Sequence, residues 1–133
     1  MKSASFTIKD SGEREAFKTG SQRDTQTGKP RPSLLPMSTV MKWALHSGNG
    51  CNKYGIRNWE KGQPLTQYID SALRHILWHM LGLVDEPHLI AAVWNIACYD
   101  WTLDAIKCGK LPEELDDRPW HMKEGNPMGE MMK

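Results

Sequence analysis

Three cysteines, Cys51, Cys98 and Cys108, are an odd number in no C-x-x-C arrangement, so the chain offers neither a disulfide framework nor a cysteine-rich zinc site. No apolar run of about 18 residues or more occurs, which excludes a membrane-spanning helix read from hydropathy. The opening MKSASFTIKDSGEREAF lacks the apolar core of a secretory signal. An excess of one charge sign is missing too: 17 Lys+Arg face 16 Asp+Glu. That balance removes the main electrostatic drive for sequence-independent nucleic-acid binding. There is no P-loop, dinucleotide-binding fingerprint or nucleophile elbow. The expectation is a cytoplasmic protein of a reducing compartment, with no membrane or nucleic-acid partner. Its 133 residues suffice for one domain with a real core.

The even charge hides a gradient. Residues 1–31 hold seven basic and four acidic side chains, residues 32–107 six of each, and residues 108–133 four basic and six acidic. Before Leu34 the large apolar residues are only Phe6, Ile8 and Phe17, and after Ile106 the text turns to Pro, Gly and charge. Segments so poor in apolar surface do not offset their ordering entropy unaided. The predicted organisation is a basic N-terminal arm over 1–31, a helical domain over 32–109 and an acidic tail over 110–133. Phe6, Phe17 and Trp120 give the arms a means of packing on a neighbouring subunit.

Three segments carry helical signals. The first is predicted from about Ser38 to Ser47, opened by Pro36 and ended or interrupted by Gly48-Asn49-Gly50. The second runs from about Leu65 to Leu81, because Ile69, Ala72, Leu73, Ile76, Leu77, Met80 and Leu81 follow helical spacing; Gly82 stops it. The third is predicted to start at Asp85 or Glu86, with Pro87 in its first turn, and to end at Gly109. Apolar residues lie nearly all round it until Asp100, as in a helix within a bundle or interface. No stretch of alternating polarity argues for a sheet, so the fold class is all-α.

Several residues look chemical. Lys53 to Gly62 sets three positive charges, two aromatics, an amide and a carboxylate between two helices. Such a loop can stack a planar ring on Trp59 or Tyr54 and hold a phosphate with Lys61 or Arg57, although a solvated connector has the same composition. Asp70 and Arg74 are one turn apart, where they can touch. His75 and His79 share a face but lack the surrounding H-E-x-x-H of a zinc protease. His88 reads equally as a core histidine. Asn95, in an apolar run, needs a partner for its amide and is suited to reading a base edge. Glu60, Asp70, Asp85, Glu86, Asp100 and Asp104 are the central carboxylates, the ligand type that Mg²⁺ and Mn²⁺ prefer.

Lys29-Pro30-Arg31, Leu34-Leu35-Pro36, Lys53-Tyr54-Gly55, Asn58-Trp59, Gly62, Ala72-Leu73-Arg74-His75, Asp85 and His88-Leu89 follow one another in an order that resembles the phage dATP/dGTP diphosphohydrolases of the MazZ type. These are distant relatives of the all-α MazG-like nucleotide pyrophosphohydrolases. The resemblance covers about residues 28–106. It implies a MazG-like helical bundle that assembles as a homo-oligomer, a dimer or tetramer. It also implies hydrolysis of a deoxypurine triphosphate, dGTP or dATP, to the monophosphate and pyrophosphate with Mg²⁺ or Mn²⁺. In phages that replace adenine by 2-aminoadenine, such an enzyme removes dATP and supplies dGMP. The chain departs from the MazG pattern in lacking an intact E-x-x-E and E-x-x-D pair, and the stretch between Gly82 and His88 is short for the group.

The expected mechanism is charge stabilisation and positioning, since a phosphoanhydride needs little covalent help. Glu60, Asp70, Asp85 and Glu86 are the expected metal ligands. A carboxylate or His75 would take the proton of the attacking water, so Glu60, Asp70, Arg74 and His75 form the catalytic set. Lys53, Lys61 and Arg74 would hold phosphate oxygens, Trp59 would stack on the purine, and Asn58, Asn95 and His88 would complete the substrate site. Replacing Asp70 or Glu86 by Ala is expected to abolish turnover. Two other classes fit the same text: a nucleotide-binding module that does not hydrolyse, and a helical adaptor with an exposed tryptophan-rich face.

Overall fold

A computed structural model describes residues 7–120. The chain divides into two compact units, Met1–Met37 and Ser38–Lys133. The first holds a small antiparallel hairpin, β1 (Arg14–Ala16) and β2 (Gln22–Asp24), with Arg14 opposite Asp24. This corrects the expectation of a purely helical chain. Strands of three residues are too short to alternate visibly, and the pairing is closed locally by the turn in which Gly20 N–H donates to the Phe17 carbonyl at 2.9 Å. Exposed ion pairs, Asp10 with Arg14 and Asp24 with Lys29, both at 2.7 Å, decorate it and add little stability. Phe17 stays exposed in the hairpin loop, as does Trp120 at the other end of the described chain; Phe6 lies outside the described residues.

The second unit is helical. Helix α1 spans Met37–Tyr54, α2 spans Leu65–Met80 and α3 spans His88–Lys107. No helix among the described residues is long and apolar enough to cross a membrane.

Helices α2 and α3 make the core. Leu65, Tyr68 and Ala72 of α2 are buried against a stripe of α3 made of His88, Ala91, Ala92, Asn95, Cys98, Thr102, Ala105 and Ile106. That stripe repeats every three or four residues, the helical period that keeps one face on a partner. Its alanines let the two backbones approach. Beyond that stripe Trp94 and Trp101 are half-buried, while Leu89 and Ile96 are exposed.

Two helix boundaries differ from expectation. Helix α1 runs straight through Gly48-Asn49-Gly50 to Tyr54. Two glycines cost about 1 kcal/mol each in a helix interior, a penalty that weakens the helix without breaking its hydrogen-bond ladder. Helix α3 begins at His88, leaving Asp85 and Glu86 outside it. The residue before a proline is disfavoured in helical conformation, so Glu86 is held out and Pro87 serves as the cap. The end of α2 is as expected: Gly82 takes φ +80° and Leu83 N–H reaches back to the Trp78 carbonyl at 3.1 Å, the closing bond of a Schellman motif.

Residues 111–118 fold back on the helices rather than trailing away. Asp117 caps the start of α2 from 51 residues along the chain, accepting Thr66 N–H at 3.0 Å and the Thr66 hydroxyl at 2.5 Å. Arg118 donates to Tyr99 Oη at 3.2 Å and pairs with Asp116 at 2.7 Å. The Thr66 donors hold the Asp117 carboxyl below its ordinary range. A depressed folded pKa stabilises above the unfolded value, and the contribution is lost as pH falls through the folded one. Asp117→Ala is expected to cost about 1 kcal/mol near neutrality. In urea melts the gap between variant and parent closes in acid; a gap that persists there refutes the cap.

Candidate nucleotide and metal site

The loop between α1 and α2 is shaped by its backbone. Arg57 sits at φ +54°, a left-handed conformation that is uncommon for a residue with a side chain. It caps a 3₁₀ turn over Asn58–Lys61. Gly62 ends that turn at φ +89°, and a Cβ built there would lie 2.6 Å from Leu115 Cδ1 and 3.1 Å from both Leu111 methyls. Gly62→Ala is therefore expected to cost about 1–3 kcal/mol, read as a lower urea midpoint. An unchanged midpoint would show that Leu111 and Leu115 are not seated on this loop.

This loop walls a cavity of about 600 Å³ with the second half of α1. Tyr54, Trp59 and Trp94 supply aromatic surface there, and Ser47, Asn58 and Gln63 supply polar atoms. A second cavity of about 470 Å³ shares Ser47, Trp59 and Trp94 with it and adds Trp43 and Trp101. Trp59 meets Trp101 edge-on with centroids 4.8 Å apart. The volumes and the mix of apolar wall with few polar groups are those of a small-molecule site.

At the α2–α3 turn lies a denser chemical group. His88 is buried, its side chain 2% exposed, and Nε2 lies 2.9 Å from Asp85 Oδ1. A carboxylate only accepts, so His88 donates through Nε2 and a neutral ring presents a bare lone pair at Nδ1. That atom faces His75 Nδ1 at 2.9 Å. Glu86 Oε1 stands 3.8 Å from His88 Nδ1 and 4.0 Å from His75 Nδ1. One ligand atom from each of His75, Glu86 and His88 falls within 4.8 Å of the others, close enough to share a cation. Burial holds the His75 imidazole below its ordinary pKa, with Glu86 opposing. The bond from His88 holds the Asp85 carboxyl low. Trp78 packs edge-on to His75 at 5.3 Å.

Helix α1 borders both regions. A cavity of about 860 Å³ beside the histidines is lined by Asp85, Glu86, His88 and His79, and by Thr39 and Lys42 of α1. Further along α1, His46 lies 6.0 Å from the Trp94 ring that walls the other cavity. His46 is also near enough for its charge to lower the His75 pKa.

The residues singled out in the sequence separate accordingly. Asn58 and Trp59 line the loop-side cavity, and Glu60 pairs with Arg57 at 3.8 Å. Lys53 is exposed with its ammonium over the Tyr54 ring, and Lys61 is exposed. Asp85, Glu86, His75 and His88 come together. Asp70 is exposed and not paired with Arg74; five residues before His75, it lies about 140° round α2 from it. No contact joins Glu60 to the histidine cluster. Asn95 turns its amide back on its own helix, donating to the Ala91 carbonyl at 2.8 Å, and lines neither cavity. Lys42 and His46 were missed, because on sequence they are unremarkable members of α1. Their spacing of four was the available signal.

Residues 19–118, three quarters of the chain, match the family described as dATP/dGTP diphosphohydrolase, N-terminal. The chain belongs to that family. No curated protein and no solved structure matches it. The match spans both cavities and the histidine–carboxylate cluster, so a dATP/dGTP diphosphohydrolase domain carries them all.

Proposed function

We propose that this diphosphohydrolase domain hydrolyses dGTP and dATP to the deoxynucleoside monophosphate and pyrophosphate, with Mg²⁺ or Mn²⁺ as cofactor. The observation that carries the reading is the pairing, along α1, of an aromatic cavity with a carboxylate–imidazole cavity. In this reading Trp59 stacks on the purine and Asn58 bonds its edge. Lys53, Lys61 and Arg74, joined by Lys42, hold phosphate oxygens. His75, Glu86 and His88 fit a divalent cation, since two imidazole nitrogens and a carboxylate oxygen converge. A cation bound there neutralises triphosphate charge and lowers the pKa of a coordinated water. Asp85, whose carboxylate is exposed and does not hold the cation, would take the attacking water's proton as the water oxygen bonds the α-phosphorus and the anhydride between the α- and β-phosphates breaks. Glu60 and Asp70 stand apart from this cluster and support the site from the loop and the outer face of α2.

The rest of the reading follows the resemblance. The enzyme works in the host cytoplasm of a phage that uses 2-aminoadenine, depleting dATP and supplying dGMP. It works as a dimer or tetramer. Leu73, Leu77 and Met80 form an exposed apolar stripe on α2, each more than half exposed, which suits a second copy of the chain. Leu77→Glu is expected to convert the assembly to monomer in sedimentation velocity; an unchanged sedimentation coefficient removes α2 from the interface. The adaptor reading loses its support, because among the six tryptophans only Trp120 is exposed.

The test is incubation with each dNTP and NTP in Mn²⁺, with products resolved by chromatography. Monophosphate and pyrophosphate from dGTP and dATP support the proposal. Monophosphate with two orthophosphates overturns it, and saturable binding without product makes the domain a nucleotide-binding module.

A further inference from the structure

We infer that His75, Glu86 and His88 form a mixed imidazole–carboxylate site for a first-row transition-metal dication, Mn²⁺, Co²⁺ or Zn²⁺, in preference to Mg²⁺. Asp85 does not coordinate but positions His88. The inference deepens the diphosphohydrolase reading, on which it rests for what the metal does, while the binding itself stands on the geometry alone.

The three donor atoms make a triangle with sides of 2.9, 3.8 and 4.0 Å. Donors about 2.1 Å from a tetrahedral metal stand about 3.4 Å apart, so this triangle closes on a cation with shifts of about half an ångström. Three protein donors leave a position for water or a phosphate oxygen, the arrangement of a catalytic rather than a structural site. Two of the three are imidazoles. Imidazole nitrogens suit Co²⁺ and Zn²⁺, and Mn²⁺ accepts them beside a carboxylate oxygen, whereas Mg²⁺ holds to oxygen donors and surrenders its waters reluctantly.

The surroundings fit a ligand role for His88. Its Nε2–H is spent on Asp85 at 2.9 Å, which fixes the tautomer and aims Nδ1 at the triangle. A carboxylate behind a ligating histidine raises its basicity and sets the ring's orientation. The ring is wedged between His75 and Trp78, with centroids 5.2 and 5.5 Å away, so it has little freedom to turn elsewhere. Glu86 reaches the site because Pro87 holds it off the helix, leaving its carboxylate half exposed at the mouth of the α1–α3 cavity. Without a metal the two Nδ1 atoms share one proton. Coordination requires His75 to carry its proton on Nε2 instead.

The experiment titrates Co²⁺ into the full chain without nucleotide, following its visible d–d absorption, with Zn²⁺ and Mg²⁺ as competitors. One Co²⁺ per chain is expected, displaced by Zn²⁺ and not by a hundredfold excess of Mg²⁺. His75→Ala and Glu86→Gln should each weaken binding by more than about a hundredfold, and Asp85→Asn by about 10–100-fold at unchanged stoichiometry. His75 and Glu86 are outside the core, so these variants are testable even if His88 variants fail to fold. Absence of d–d bands, bands indifferent to His75→Ala and Glu86→Gln, or equal competition by Mg²⁺ overturns the inference. Hydrolysis of dGTP by a chain that binds no Co²⁺ refutes this site and leaves the diphosphohydrolase reading intact. Co²⁺ binding by a chain inert to every dNTP upholds the site and refutes that reading.

Discussion

Glu86→Ala is expected to slow dGTP turnover in Mn²⁺ by more than about a hundredfold, whereas Asp70→Ala should stay within a few-fold of the parent. Sequence reasoning placed both carboxylates at the metal. The geometry separates them: Glu86 Oε1 stands within 4.0 Å of both His75 and His88 Nδ1 atoms, while Asp70 is exposed on another face of α2. Steady-state pyrophosphate release across a Mn²⁺ titration distinguishes the two ways Glu86 can matter. If Glu86 holds the metal, the variant needs more Mn²⁺ and Glu86→Asp recovers part of the loss. Parental activity in Glu86→Ala removes it from the site. A hundredfold loss in Asp70→Ala would move the site to the opposite side of α2.

Leu65→Ala is expected to destabilise the fold by about 2–5 kcal/mol. Leu65 is 0% exposed and occupies the first position of α2, beside the Thr66–Asp117 cap. Truncation leaves a void at the first turn of α2. Leu77→Ala, on the exposed stripe, should change protomer stability by less than about 0.5 kcal/mol. Urea midpoints at several protein concentrations check both, since an assembly effect at Leu77 is concentration-dependent and a core effect at Leu65 is not. A loss at Leu65 below about 1 kcal/mol would mean that the core lies elsewhere.

Much of the helical frame is written in local pattern. Helix α2 is legible because its apolar residues keep one period throughout and Gly82 supplies the stop. The other differences each have a local cause. Gly48 and Gly50 weaken a helix without ending it, and Pro87 acts on the residue before it more than as a first-turn proline. The hairpin escapes notice because three-residue strands show no alternation. The His75–Glu86–His88 cluster could not be read from spacing at all. His75 and His88 are thirteen residues apart, and their meeting depends on how tightly 81–87 turns α2 into α3. The visible pair, His75 and His79, has the right helical spacing, yet only His75 joins the cluster. The inventory of loop residues fared better, since Asn58 and Trp59 do line one cavity. A loop of fixed length that returns to a helix start keeps its side chains near each other, whatever the tertiary packing.

The three thiols occupy three unlike environments. Cys98 is buried in the α2–α3 core, and burial pushes its pKa up to about 12, so it stays protonated and inert. Cys108 is exposed beyond the end of α3. Cys51 is half-buried and lines the loop-side cavity beside Tyr54 and Trp59. Alkylation proceeds through accessible thiolate, so one reagent meets a silent thiol, a reference thiol and a thiol whose access depends on what fills the cavity. The protein thus carries an internal occupancy gauge: an occupant of the loop-side cavity would slow alkylation at Cys51 relative to Cys108.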